Sequence, residues 1–502
     1  AVRPPSPSVL PAAGVLLVAL AFAVMIGLTA SLGQIMLLAL LVMPLALLAI
    51  GLLPAAWLLW GTFAVAFLVI GPAVYFVKVD GARWLVPALG LALLLPVVLR
   101  LAGRGVMQSP VSMPAFVWVL LLFLAVGVFS TLINGAGAGV LINATRSYLT
   151  IVGPMLLLGL GVLTAPSLAT VWRFLAWVAV LQLPVGLVQF AFFRVKTTAA
   201  WDAVVGTFPG EADTGGASAG MGVFLVTMSV FAVALWRRGL LRLRWVVLAG
   251  LCTMAMLGLA EVKAAVLMIP VAISLLYARE LLRRPWYTLA ALALGIAVTG
   301  GLLYAYSKVH YADAAVSLDV RERPRTPIEA IANQLNPERV TWSGPPSRMA
   351  ALRDWKDRVL TDGDWQQALL GHGMASTLST RLGSGDLVGR YGYALDETST
   401  AVLLWEVGLV GHGLVVLALC MAAWRAHRLW RDPRMPALHQ ALMHAASVAI
   451  VLQLISLPYK SFAIKTAPSQ MLLALLLGFV IFWHRELQRR SPPAGRAASA
   501  WR

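Results

Sequence analysis

Residues 397–424 read ETSTAVLLWEVGLVGHGLVVLALCMAAW. After the opening acid and hydroxyls, the only charged side chain in the stretch is Glu406. An apolar run beyond ~20 residues is what a helix needs to cross the ~30 Å hydrocarbon core of a bilayer. The stretch therefore reads as a transmembrane helix. Working outward, the same reading applies at 9–31, 33–52, 55–76, 83–99, 114–133, 147–164, 170–193, 217–236, 244–260, 262–279, 286–306, 436–457 and 465–484. The expected fold is an all-α integral membrane protein with twelve to fourteen transmembrane helices and a large periplasmic helical loop. The first run, Val9 to Ala30, is long enough to span and another follows directly. It reads as a first transmembrane helix and not as a cleaved signal.

Composition agrees. Of 502 residues, 60% are hydrophobic and 12% charged, against roughly 25% charged in a typical soluble domain. A water-soluble enzyme is excluded. With 18 Trp, 17 Phe and long aliphatic runs, disorder is excluded too. Cys252 and Cys420 both fall in apolar runs, so no disulfide framework is expected.

The net charge of +18 has a location. Placed on alternate sides of the spans, Arg3, Arg100, Arg104, Arg173, Arg237, Arg238, Arg242 and Arg244 share one side. The clusters at 279–284 and 425–434 and the tail arginines from Arg485 to Arg502 join them. Nearly all the excess positive charge lies there, so the positive-inside rule makes that side cytoplasmic, with both termini inside. The high pI is thus a topology signal. It gives no support to a nucleic-acid partner, because no basic patch sits on a soluble module.

On the other side most loops are short, but 194–216 and 307–396 are long, and loops of that length are uncommon without a role. The expected organisation is helices 1–11 over 1–306, a periplasmic cap over 307–396, helices 12–14 over 397–484 and a cytoplasmic tail over 485–502. Within the cap, Met349 to Leu360 has helical periodicity, and Gly371 and Gly373 end the stretch that follows.

Basic residues on that outer side need a reason. Lys263 sits with Glu261 at a tight turn between two apolar helices. It is either a snorkelling lysine paired with Glu261 or a fixed cation for an anionic ligand. Arg146 lies where a helix is expected to begin after a Gly-rich loop, as an anchor or a ligand group. Arg348 and Arg353 flank an amphipathic stretch containing Trp355, and arginine's planar fork suits phosphate. Arg321-Glu322-Arg323-Pro324-Arg325 reads as a solvated loop. Trp201, Trp342, Trp355 and Trp365 are interfacial belt residues or sugar-stacking platforms. Asp396-Glu397-Thr398-Ser399 opens the quoted span either as an N-cap or with a general base. Glu406, within the span, is a functional-site candidate or a tie to a neighbouring helix. His310 and His372 lack metal-ligand spacing, and no nucleotide-binding or nucleophile-elbow motif occurs. No cofactor or metal is expected.

Three pieces carry a resemblance. Gly206-Thr207-Phe208 precedes the span at 217. Glu261-Val262-Lys263-Ala264-Ala265 occupies a hairpin. Arg348 to Trp355 is followed by Leu370-Gly371-His372-Gly373 and by Trp405-Glu406-Val407-Gly408-Leu409-Val410-Gly411. Together, over roughly 140–425, they resemble the superfamily of O-antigen ligases and Wzy-type O-antigen and exopolysaccharide polymerases of bacterial inner membranes. That family has a Gly-x-Phe loop, a Ser-Arg or Ser-Lys hairpin, and a long periplasmic loop with Gly-x-Gly before a span bearing Glu-x-Gly-Leu-x-Gly.

The resemblance implies a metal-independent membrane glycosyltransferase acting on the periplasmic side. Its partners would be an undecaprenyl-diphosphate-linked oligosaccharide donor, a glycan or lipid acceptor and membrane lipids. Lys263, Arg146 and Arg348 or Arg353 would hold the diphosphate, with Glu261, Trp355 and Glu406 lining the site. Asp396 or Glu397 would activate the acceptor. Family ligases carry a His-Asn pair where this chain has Asp396-Glu397-Thr398-Ser399, which favours a polymerase over transfer to lipid A core. A lipid-linked-polysaccharide flippase is the rival class, although transporters usually place charges at mid-membrane, and here nearly all lie at the rims, with Glu406 the exception.

Overall fold

The structure, a computed structural model, describes residues 53–103, 112–193, 203–212, 215–310, 326–338, 347–361, 363–380, 383–391 and 395–490. The spans expected at 9–31 and 33–52, the run 321–325, Trp201 and Trp342 lie outside the described residues. The chain divides into two compact units. Residues 53–58 are the described part of the first, Ala1–Leu58, and the second is Leu59–Arg502.

Among the described residues, eleven helices are long and apolar enough to cross a membrane. They are α1 (Ala55–Tyr75), α2 (Asp80–Ala102), α3 (Ala115–Ile133), α4 (Ala138–Gly159), α5 (Ala165–Phe193), α6 (Ser218–Arg237), α7 (Leu243–Ala260), α10 (Trp286–His310), α15 (Ser399–Leu429), α16 (Ala437–Ser456) and α18 (Ala467–Arg490). A twelfth apolar helix, α8 (Lys263–Leu276), is shorter, and the six-residue α9 (Ala278–Arg283) follows it. This is a multi-pass membrane protein. Short helices occupy the segment before α15: α11 (Pro327–Leu335), α12 (Arg348–Trp355), α13 (Trp365–Leu370) and α14 (Asp386–Tyr391). Helix α17 (Phe462–Lys465) bridges α16 and α18. The end of the bundle carrying α12–α14 is called the loop face below.

Helices α6, α16 and α18 are the most enclosed. Small residues let helices approach where no hydrophobic force drives them together in lipid. A Cβ on Gly478 of α18 would stand 2.7 Å from Leu158 Cβ of α4, and one on Gly159 would stand 2.4 Å from the Ile481 side chain. Residues 203–208 are not helical, yet all six are buried. Backbone at that depth must find partners inside the protein, and two glutamines of α5 supply them. Gln189 Oε1 accepts from the N–H groups of Val205 and Gly206 at 3.0 and 2.7 Å. Gln182 Oε1 accepts from Thr207 N–H at 2.8 Å, while its Nε2 donates to the Thr207 hydroxyl at 2.7 Å. Phe208 then packs on Phe67 and Phe224. The Gly206-Thr207-Phe208 piece is therefore a clamped plug in the bundle.

Candidate functional site

Two junctions join the loop segment to the spans. The first is built around Gly408, where φ is +67° and ψ −169° inside α15, a conformation glycine adopts readily. The break frees two carbonyls, and the loop supplies their donors. His372 N–H reaches Trp405 O at 2.8 Å and Gly373 N–H reaches Glu406 O at 2.9 Å. A Cβ on Gly371 would stand 2.5 Å from the Glu406 carbonyl carbon, and one on Gly408 2.4 Å from that of Leu369. The Gly-x-Gly of the loop and the Glu-x-Gly of the span thus form one interlocked joint.

The Glu406 side chain, fully buried, completes it. It accepts from Tyr148 Oη at 2.6 Å, Ala375 N–H at 2.7 Å, Thr377 Oγ1 at 2.5 Å and Thr377 N–H at 3.4 Å. Those donors come from α4 and from the loop, so the carboxylate ties three segments together. Beside it, burial and then Arg390 hold the His372 imidazole down at about 4.

The second junction gathers cations around the turn from Leu457 to Thr466. The turn is fixed by Thr400 N–H to Leu457 O at 3.0 Å and by Ser399 Oγ to Lys460 O at 3.0 Å. On one flank, the Arg348 guanidinium lies 3.9 Å over the Tyr459 ring, and its Nε is buried without a hydrogen-bond partner among the described residues. Tyr459 is within electrostatic reach of Tyr306. Tyr306 Oη donates to Val262 O at 2.9 Å, beside the Glu261–Lys263 hairpin.

In that hairpin Glu261 is left-handed at φ +50°. Only a surrounding structure that over-determines it holds a non-glycine residue there. Glu261 Oε1 pairs with Lys263 Nζ at 3.1 Å, and Oε2 lies 3.9 Å from His310 Nδ1. His310 Nε2 contacts Gly258 O at 3.0 Å. A carbonyl can only accept, so Nε2 carries the proton.

On the other flank, Lys465 pairs with Asp396. Burial and then the repulsion of Arg146 lower the Lys465 ammonium. Arg146 stacks 4.7 Å over the Trp84 ring and feels Arg83, which pairs with Glu211 at 2.9 Å. Tyr459 and Lys465 are six residues apart, so the two flanks stand no more than ~20 Å apart along the chain.

The sequence-based candidates separate accordingly. Arg348, Arg146 and Asp396 border this turn, and the Glu261–Lys263 hairpin lies beyond Tyr306. Arg353 does not border it. It is half-exposed and paired with Asp357 at 3.3 Å and Glu338 at 3.7 Å. Trp355 is 5% exposed among Ala351, Val359, Ala368, Leu387 and Trp405, so it is core of the loop segment and offers no stacking face. Trp365, at 67%, is exposed. Glu397 is half-buried, and Thr398 is the true N-cap, its hydroxyl accepting from Ala401 N–H at 3.0 Å.

Arg146 is not at a helix start. Helix α4 begins nine residues earlier than the expected 147, at Ala138, and Arg146 lies in a π-helical turn, Thr145–Leu149, of the kind that often marks functional sites. Sequence reasoning missed Arg83, Tyr306, Tyr459 and the pairing of Lys465. Among the described residues, no three His, Cys, Asp or Glu side chains are grouped as metal ligands.

Comparison with models of protein families finds no match, and comparison with curated proteins finds none either.

Proposed function

We propose that this protein is a membrane glycosyltransferase that polymerises, or transfers once, a glycan carried on undecaprenyl diphosphate, at the periplasmic surface of a bacterial inner membrane. The observation that carries the reading is that Arg348, over Tyr459, and Arg146, within electrostatic reach of Lys465, approach one turn at the loop face from distant parts of the chain, with the Lys263 hairpin beyond Tyr306. The donor class comes from the resemblance described above.

In this reading an acceptor sugar hydroxyl attacks the anomeric carbon of the donor. The bond from that carbon to the diphosphate oxygen breaks, and undecaprenyl diphosphate leaves with the electron pair. Arg348 and Lys263 hold the diphosphate and stabilise its growing charge, with Arg146 and Lys465 on the far flank. Preorganised charges in a site of low dielectric do this without reorganising. The acceptor proton goes to a carboxylate. The Asp396 carboxylate is engaged by the Lys465 ammonium. Glu397, next in the chain, takes the role.

The test is turnover in nanodiscs with an undecaprenyl-diphosphate oligosaccharide, products being resolved on a gel. A ladder of lengthening glycan is expected. Transfer only when lipid A core is supplied would make the protein a ligase. Neither product, with a donor of the native repeat, would overturn the reading.

A further inference from the structure

At the end of the bundle opposite the loop face, the α8–α9–α10 hairpin lines an open cleft of about 810 Å3. Its polar wall carries Arg279, Arg283 and Arg284, and its apolar wall Ile273, Ala290 and Leu294. Pockets of 300–1,000 Å3 take small molecules, and this one joins a cationic rim to a greasy floor. The cations differ in what they already do. Arg237 is committed to Glu280 and to the carbonyl of Leu276, while its guanidinium covers Tyr277. The one acid of the cavity is thereby neutralised. Arg279 and Arg283, one helical turn apart on α9, have no carboxylate partner among the described residues.

The position matches the headgroup layer. Helix α8 has 14 residues and rises ~21 Å, short of the ~30 Å hydrocarbon core. The arginines that follow it therefore start within snorkelling reach of the phosphates. Leu282 and Trp286, beside them, are 88% and 79% exposed. Leucine is stable at such exposure when lipid covers it, and Trp favours the interface.

We propose that this cavity binds one anionic phospholipid. Arg279 and Arg283 would receive the phosphate as paired charge-assisted hydrogen bonds, and the acyl chains would lie along Ile273, Ala290 and Leu294. Basic pockets between spans recognise such headgroups by charge and geometry.

The test is native mass spectrometry of the full chain released from nanodiscs of phosphatidylcholine with added phosphatidylglycerol or cardiolipin. Thermal melting is measured in parallel. The wild type is expected to retain one anionic lipid and to melt higher with it. The pair Arg279→Gln/Arg283→Gln is expected to weaken retention ~10-fold or more. Ala290→Trp, which fills the apolar wall and leaves every charge in place, is expected to weaken it as well.

The charge-matched control is Arg428→Gln/Arg431→Gln. These residues stack on Trp424 and Trp430 at the same end, where Arg238 also covers Trp430, and the control is expected to retain lipid like the wild type. Equal loss in the control would mean diffuse attraction of a basic surface and would overturn the proposal. So would stabilisation by inorganic phosphate equal to that by the lipid, or no retention by a folded wild type.

Discussion

Glu406 and Glu261 are both buried acids where apolar helices meet the loop face, and their surroundings are opposite. Glu406 takes four hydrogen bonds from Tyr148, Ala375 and Thr377. A carboxylate has about four acceptor sites, so these donors fill its capacity. Glu261 instead faces Lys263 and His310 on a strained backbone. Fixed neutral donors repay desolvation and leave nothing for a ligand to change. A carboxylate balanced by a cation leaves a charge that an arriving anion can compete for. The first arrangement holds a joint together. The second, continued through Tyr306 and Tyr459 to Arg348, is the arrangement on which the proposed anion site rests.

The largest effect expected from that contrast is on the joint. Glu406→Ala leaves Tyr148 Oη, both Thr377 donors and Ala375 N–H without their acceptor. At ~1–3 kcal/mol for each buried donor, the loss exceeds ~4 kcal/mol. Folded protein should then be recovered poorly and melt far lower in detergent, with Glu406→Gln falling between it and the wild type. A Glu406→Ala protein melting like the wild type would break the distinction from the Glu406 side.

Next comes the double variant Glu261→Gln/Lys263→Met. Replacing a buried pair by neutral groups is often neutral in stability, so melting should shift by less than ~1 kcal/mol equivalent. Transfer should fall ~10²–10³-fold, as for loss of a preorganised charge. Unchanged transfer with unchanged melting would break the distinction from the Glu261 side.

The carboxylates before α15 sharpen it further. Glu397→Gln should slow transfer ~10²-fold, and Asp396→Asn less than ~10-fold, measured as initial rates. The reverse order would assign the base to Asp396.

The smallest effect is a pH dependence. His372 titrates at about 4 in the fold and near 6.5 when unfolded. The unfolded chain therefore binds more protons between these values. The contribution of His372 is complete above about 6.5 and is lost as pH falls toward 4. His372→Gln should shrink the drop in melting temperature between pH 7 and pH 5, and an unaltered drop would contradict this.

Much of the fold was legible because apolar runs mark spans directly. The stretch 114–133 became Ala115–Ile133 and 436–457 became Ala437–Ser456. The start of α4 was not legible. The Asn143 side chain in its first turns donates to Thr380 Oγ1 at 2.9 Å, a contact across 237 residues that the sequence does not display. Lys263, Arg146 and Arg348 stood out as cations on the side where cations are disfavoured. Arg348 and Arg353 were indistinguishable by spacing, because what separates them is Tyr459, more than a hundred residues away. The burial of Trp355 likewise comes from Trp405 and Leu387 and leaves no trace in its own stretch.

That pair of arginines gives the most direct test. Initial rates of glycan transfer from undecaprenyl-diphosphate oligosaccharide, in nanodiscs at matched protein levels, should be measured for Arg348→Ala and Arg353→Ala. Loss of the guanidinium over Tyr459 should cost ~10²–10³ in rate, while loss of the surface-paired Arg353 should change it by less than about threefold. Equal rates for the two variants, or a larger loss from Arg353→Ala, would contradict the placement of the anion site at the Leu457–Thr466 turn.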